Sequence, residues 1–146
     1  MIPPFVLDCS VTMAWFFVDE ATSDTDALLD GLSEGGRALV PRHWILEVGN
    51  TLLMAERRKR CSEAEATSFL RILGALMIEP DPEPLAHAAS AALALARRHG
   101  LTLYDAVYLE LAMRANRPIA TLDKELRIAA KKAGVTCWPE RTGSDS

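Results

Sequence analysis

Apolar residues fall along this chain in two alternating rhythms: short unbroken runs, and longer stripes at helical spacing. Phe5-Val6-Leu7-Asp8-Cys9 is a short run between Pro3-Pro4 and Ser10, and reads as a buried strand. A short helix is expected from Val11 to Phe17. A second is expected from Thr22 to Ser33, with Leu28, Leu29 and Leu32 as its buried stripe and Gly35-Gly36 as its stop. Arg37 to Pro41 reads as the next strand. Trp44 to Arg60 then forms an amphipathic helix on which Ile45, Val48, Leu52 and Ala55 recur. Its basic end, Arg57 to Arg60, complements the negative end of the helix dipole.

Ser62-Glu63-Ala64-Glu65 carries a capping-box pattern and opens another helix. Met77 to Glu79 is a third strand before the break at Pro80, Pro82 and Pro84. Leu85 to His99 is an alanine-rich helix closed by Gly100. Leu103 to Ala115 is helical and apolar nearly all round, which places it at the centre. Pro118 to Thr121 is a strand, Lys124 to Lys132 a helix, and Val135 to Trp138 a last strand. Strands alternating with helices predict an α/β fold, a largely parallel sheet covered on both faces. One domain over residues 1–139 is expected, followed by a polar, disordered tail over 140–146.

Composition changes this picture little. A length of 146 residues can bury a core without disulfides, and the net charge of −4 gives no global basic field for nucleic acid. Cys9, Cys61 and Cys137 are odd in number and widely spaced, and His43, His87 and His99 are scattered. Reduced, buried thiols follow, and zinc is disfavoured. No signal-like start and no apolar run of the ~20 residues that a membrane span needs is present, which points to a cytoplasmic protein.

The chemistry lies in four acids at element ends: Asp8, Glu47, Asp105 and Asp123. A lone carboxylate is costly to bury, and a divalent cation is the simplest counter-charge for a cluster of them. In open parallel sheets, sites form at the carboxyl ends of the strands, where Asp8 and Asp123 fall. If the backbone stays extended, Ser10 points with Asp8 and Thr121 with Asp123, so each strand end offers an acid and a hydroxyl. Each acid also has a plainer reading. Asp8 and Asp123 suit the N-caps of the helices that follow them. Asp105 suits a first helical turn, a placement worth roughly 0.3–1 kcal/mol. Glu47 lies off its helix's apolar stripe, on the side of Thr51 and Arg58, as a solvated glutamate would. Asn50 could hydrogen-bond near the same site. Glu110 competes weakly, because it can turn outward or pair with Arg114.

Asp8-Cys9-Ser10, Glu47-Val48-Gly49-Asn50, Tyr104-Asp105-Ala106 and Thr121-Leu122-Asp123 occur in that order, each in its own strand or helix context. From about Phe5 to Trp138 the chain resembles a PIN domain, and specifically a VapC-type toxin of the type II toxin–antitoxin class. That resemblance implies a three-layer α/β/α sandwich that cleaves RNA with Mg²⁺ or Mn²⁺. It assigns the catalytic acids to Asp8, Glu47, Asp105 and Asp123, with Ser10 and Thr121 as supporting hydroxyls. Asp8 and Asp105 would ligate the cation directly, and Glu47 and Asp123 directly or through water. The resemblance also implies a VapB-type antitoxin, for which an exposed Trp15-Phe16-Phe17 could offer an apolar groove, and a homodimer. Basic residues at Arg57 to Arg60, Arg97-Arg98, Arg114, Arg117, Arg127 and Lys131-Lys132 are candidates for a rim that binds RNA. Two rivals fit the first strand-end acid: a phosphatase or phosphotransferase with Asp8 as nucleophile, and a non-catalytic module whose acids merely cap helices.

Overall fold

The protein is described by a computed structural model over residues 2–140. Residues 141–146, most of the expected tail, lie outside the described residues. Five short strands, β1 (Phe5–Leu7), β2 (Ala38–Val40), β3 (Ile78–Pro80), β4 (Ile119–Ala120) and β5 (Cys137–Trp138), form one sheet in the order β3-β2-β1-β4-β5. Every pairing is parallel, with Val6 in register with both Leu39 and Ile119. Seven α-helices flank the sheet: α1 (Cys9–Ala14), α2 (Ser23–Ser33), α3 (Trp44–Arg57), α4 (Glu63–Gly74), α5 (Leu85–His99), α6 (Leu103–Ala115) and α7 (Lys124–Lys132). The chain runs outward from β1 on one side, then crosses back to β4 on the other. The gap between the ends of β1 and β4 is therefore the switch point where α/β sheets open a crevice.

β1 is buried at all three positions, as its unbroken apolar run requires. Its main core also takes in Val48, Leu52, Tyr108, Leu109, Leu111 and Leu126. α6 is buried from Ala106 through Ala112, the all-round burial that its composition predicts. A smaller cluster of Ala88, Ala92, Ala106 and Val107 joins α5 to α6, where small side chains let the two helices approach closely. Gly100 ends α5 in the left-handed region (φ 65°), which a residue without a Cβ enters at little cost. The capping box of α4 is formed in both directions by Ser62 and Glu65.

Several boundaries differ from the sequence reading. β1 ends at Leu7, and α1 starts at Cys9, because the Asp8 carbonyl already accepts from the Thr12 N–H (3.3 Å) and the Thr12 hydroxyl (3.1 Å). α1 stops at Ala14, before the extended Phe17. α3 stops at Arg57, because Lys59 turns left-handed (φ 59°). Ile45 faces solvent; Trp44 takes its place on the buried stripe and donates from its indole N–H to Thr12 Oγ1 (3.0 Å). The Trp15-Phe16-Phe17 segment is not an exposed groove. Phe17 is buried, Phe16 packs its ring against Phe17 and Phe69, and the Trp15 indole donates to the Thr25 carbonyl at 2.8 Å.

Three of the expected rim cations serve the fold instead. Arg114 forks onto both oxygens of buried Asp81 and onto Glu110, its neighbour one turn back. Burial would raise the Asp81 pKa, but the Arg114 guanidinium and the Glu83 N–H more than offset it and hold the carboxyl below its ordinary value. Arg127 is buried and donates to the carbonyls of Thr121 (2.9 Å) and Pro139 (2.8 Å). Arg60 lies over the Phe17 ring, 4.1 Å from its centroid, and reaches Asp19.

Candidate active site

At the switch point Asp8 leaves the end of β1 with an extended backbone and occupies the N-cap position of α1, yet its side chain caps nothing. Two hydroxyls claim it instead. Ser10 Oγ donates to Asp8 Oδ2 at 2.6 Å, and Thr121 Oγ1 donates to the same oxygen at 2.7 Å. Ser10 reaches Asp8 from the first turn of α1 rather than along a continuing strand. Thr121 serves Asp8 across the gap rather than the carboxylate of Asp123. The Leu122 N–H donates to Ser10 Oγ (2.9 Å) and the Asp123 N–H to Thr121 Oγ1 (3.0 Å). The ends of β1 and β4 are thus stitched together around one buried carboxylate. Asp123 itself follows the plainer reading in part: its Oδ1 accepts from the Leu126 N–H at 2.8 Å and caps α7.

α3 and α6 bring the other two acids. Glu47 lies in the first turn of α3 and Asp105 in the first turn of α6. Thr102 caps α6 by accepting the Asp105 N–H (3.2 Å). Glu47 is held in place from two sides. The hydroxyl of fully buried Tyr108 donates to Glu47 Oε1 at 2.7 Å, and His43 Nε2 lies 3.2 Å from the same oxygen. The same His43 nitrogen lies 3.1 Å from the Tyr104 carbonyl. Asn50, by contrast, is exposed and lines a cleft of about 240 Å³ with Phe17, Thr51, Met54, Ala55, Arg58 and Arg60. Among the described residues no hydrogen bond joins it to the four acids.

The acids feel one another. Burial, followed by repulsion from Asp123, Asp8 and Glu47, pushes Asp105 up to about 6. Burial also raises Asp8; the Ser10 and Thr121 hydroxyls pull the other way, and Glu47 and Asp123 push it further up. The Cys9 thiol is pushed up to about 12 by burial and by the charges of Asp8 and Glu47, so it stays protonated beside them. Its Sγ lies 4.0 Å from Thr51 Oγ1. Burial first, then Asp8 and Glu47, drives the Tyr108 phenol far above its ordinary value, which leaves it a permanent donor.

The profile of the PIN domain matches residues 5–132. The chain belongs to the PIN domain family. Over 80 residues this PIN domain is 36% identical to "Ribonuclease VapC3" of Pyrobaculum aerophilum, a match spanning 55% of the chain and 61% of that relative. Among solved structures it resembles PAE2754 of the same organism, with TM-score 0.70 and 22% identity over 92% of this chain and 89% of the other. It also resembles VapBC2 from Rickettsia felis bound to a DNA fragment from their promoter, with TM-score 0.62 and 11% identity, covering 92% and 96% of the two chains. FitAcB from Neisseria gonorrhoeae superposes with TM-score 0.55 and 18% identity, covering 91% and 95%. At these identities the structural likeness is one of fold.

The carboxyl edge of this PIN domain offers oxygen donors, which suit a hard divalent cation. Among the described residues, no three His, Cys, Asp or Glu side chains converge into a ready-made metal cage. His43, Tyr108 and Thr102 escaped the sequence reading as parts of the site. The signals were faint: His43 precedes Glu47 by one turn, and Tyr108 follows Asp105 by one turn.

Proposed function

We propose that this protein is a Mg²⁺- or Mn²⁺-dependent endoribonuclease and the toxin of a toxin–antitoxin pair. The observation that carries this is the placement of the acids: Asp8 is buried at the end of β1 with its carboxylate held by Ser10 and Thr121, Asp123 follows the end of β4, and Glu47 and Asp105 sit in the first turns of α3 and α6. A fold gains nothing from holding four acids within range of one another, unless a cation or a proton is to be taken up. The printed name of the 36% identical relative, a ribonuclease, supports RNA as the substrate. The VapBC2 likeness supports a VapB-type antitoxin as the partner. A homodimer in the cytoplasm completes the reading. No helix among the described residues is long and apolar enough to cross a membrane.

Asp8 and Asp105 would hold the cation, with Glu47 and Asp123 completing the set directly or through water. Bound there, the cation would make an attacking water more acidic and screen charge on the phosphoryl oxygens. Ser10 and Thr121 both bond Asp8 Oδ2, which orients the carboxylate and would leave Oδ1 for the cation. Thr102 and the α6 backbone fix Asp105. Exposed Lys124 directly follows Asp123, and exposed Arg97 and Arg98 end α5 shortly before Thr102. They would meet the RNA backbone. Arg117, Lys131 and Lys132 precede β4 and β5 and so lie toward the opposite edge.

The deciding experiment incubates total RNA with Mg²⁺, with chelator, and with an Asp8→Asn variant, and maps the new ends. Cleavage that needs the divalent ion and vanishes in Asp8→Asn is expected. Phosphomonoester hydrolysis without RNA cleavage would point to Asp8 as a nucleophile instead, and unchanged cleavage or toxicity in Asp8→Asn would end the catalytic reading. Mn²⁺ should also raise the melting temperature of the wild type, because ligands that bind only the folded state stabilise it, and Asp8→Asn should lose that response.

A further inference from the structure

We propose that His43 and Tyr108 are positioning residues: Tyr108 holds Glu47 through Oε1, His43 ties the start of α3 to the backbone before Asp105, and together they clamp Glu47 in its place relative to Asp105. The proposal rests on the four-carboxylate reading above, and assigns roles to residues outside that set. Tyr108 Oη donates to Glu47 Oε1 at 2.7 Å, and His43 Nε2 stands 3.2 Å from the same oxygen while hydrogen-bonding the Tyr104 carbonyl. Glu47 Oε2 is then the oxygen left for the cation or for a water beside it. A glutamate on a helix surface otherwise samples several rotamers, and a fixed donor with an imidazole beside it restricts that freedom.

The chemistry fixes the His43 tautomer. Its Nε2 meets the Tyr104 carbonyl at 3.1 Å, a group that can only accept, so this hydrogen bond needs the proton on Nε2. The Tyr104 carbonyl belongs to the residue just before Asp105. A single imidazole therefore ties the start of α3 to the start of α6, and with them the backbones that carry Glu47 and Asp105. The rings reinforce the tie. His43 packs edge-on against Tyr108 at 5.2 Å, and Tyr108 is anchored by complete burial. Removing the Tyr108 hydroxyl leaves the ring and its packing in place but deletes the hydrogen bond to Glu47.

The test compares wild type with Tyr108→Phe, His43→Ala, His43→Gln and Glu47→Gln, each first shown to unfold cooperatively. Mn²⁺ binding is read by calorimetry, and RNA cleavage is followed at saturating Mn²⁺. Tyr108→Phe and His43→Ala should each weaken Mn²⁺ binding or lower kcat about 10-fold or more, the range found for outer partners of metal ligands, with KM for RNA unchanged. His43→Gln keeps an N–H donor and should recover part of that loss. Without metal, the melting temperatures of Tyr108→Phe, Glu47→Gln and the double variant should be non-additive, because the two groups share one hydrogen bond. Tyr108→Phe and His43→Ala within twofold of wild type in both Mn²⁺ binding and kcat, while Glu47→Gln is impaired, would overturn the clamp alone. If Tyr108→Phe fails to fold, the His43 pair decides. If Glu47→Gln matches wild type, or wild type binds no Mn²⁺, the four-carboxylate reading falls and the clamp falls with it.

Discussion

At the scale of the residue, Asp8 and Asp105 carry the site's tension. Both are acids raised above their ordinary range, Asp105 to about 6, with burial the largest cause in each. A carboxyl whose folded pKa exceeds its unfolded value binds protons more readily when folded, so it penalises stability above the folded pKa and releases that penalty as the pH falls. In chelator, the melting temperature should therefore rise as the pH is lowered from about 7 toward 4, the window between the raised value for Asp105 and the ordinary 3.8. Asp81 acts in the opposite sense. Arg114 holds it below 3.8, so its contribution is lost only as the pH falls through that lower value. Asp105→Asn should flatten the rise between pH 7 and 4, and melting curves across pH check this directly. Divalent cation should flatten it too, by supplying the counter-charge that the proton otherwise provides.

At the scale of the element, two helix starts do the positioning. α6 begins where Thr102 accepts the Asp105 N–H, and α3 begins at His43, whose ring returns to Glu47 in the same first turn. Thr102→Ala should cost about 1 kcal/mol in denaturant unfolding, the usual worth of an N-cap. It should also weaken the Mn²⁺ response, because Asp105 loses its backbone anchor, whereas Ser62→Ala, which removes the cap of α4, should cost similar stability and leave the Mn²⁺ response intact. These element starts were legible in the sequence: the bounds of α5, α6 and α7 match the patterning residue for residue. The ends of β1, α1 and α3 were not. They are set by which carbonyls find donors and by one left-handed residue, Lys59, and apolar periodicity records neither.

At the scale of the whole molecule, an acidic chain that binds RNA, as proposed, depends on where its exposed cations stand. Arg97→Glu with Arg98→Glu should weaken RNA binding and shallow its salt dependence, while Lys131→Glu with Lys132→Glu should do much less; binding titrations over a salt series separate the two. The sequence by itself determined the alternation of strands and helices, the parallel sheet and the buried α6, and it singled out four acids as candidates. Those follow from local pattern and from the expense of placing a carboxylate in apolar surroundings. Only the tertiary structure decided how the acids are held. Asp8 and Thr121 are 113 residues apart and Glu47 and Tyr108 are 61 apart, yet both pairs share a hydrogen bond. Such partners are chosen by strand order and helix packing, so no local spacing could announce them. The same holds for Trp15, Phe16 and Phe17, whose pattern suits a groove or a core equally well until α2 and α4 close over them. It holds also for Arg114 and Arg127, whose charge reads as a binding rim until Asp81 and the Thr121 carbonyl claim it.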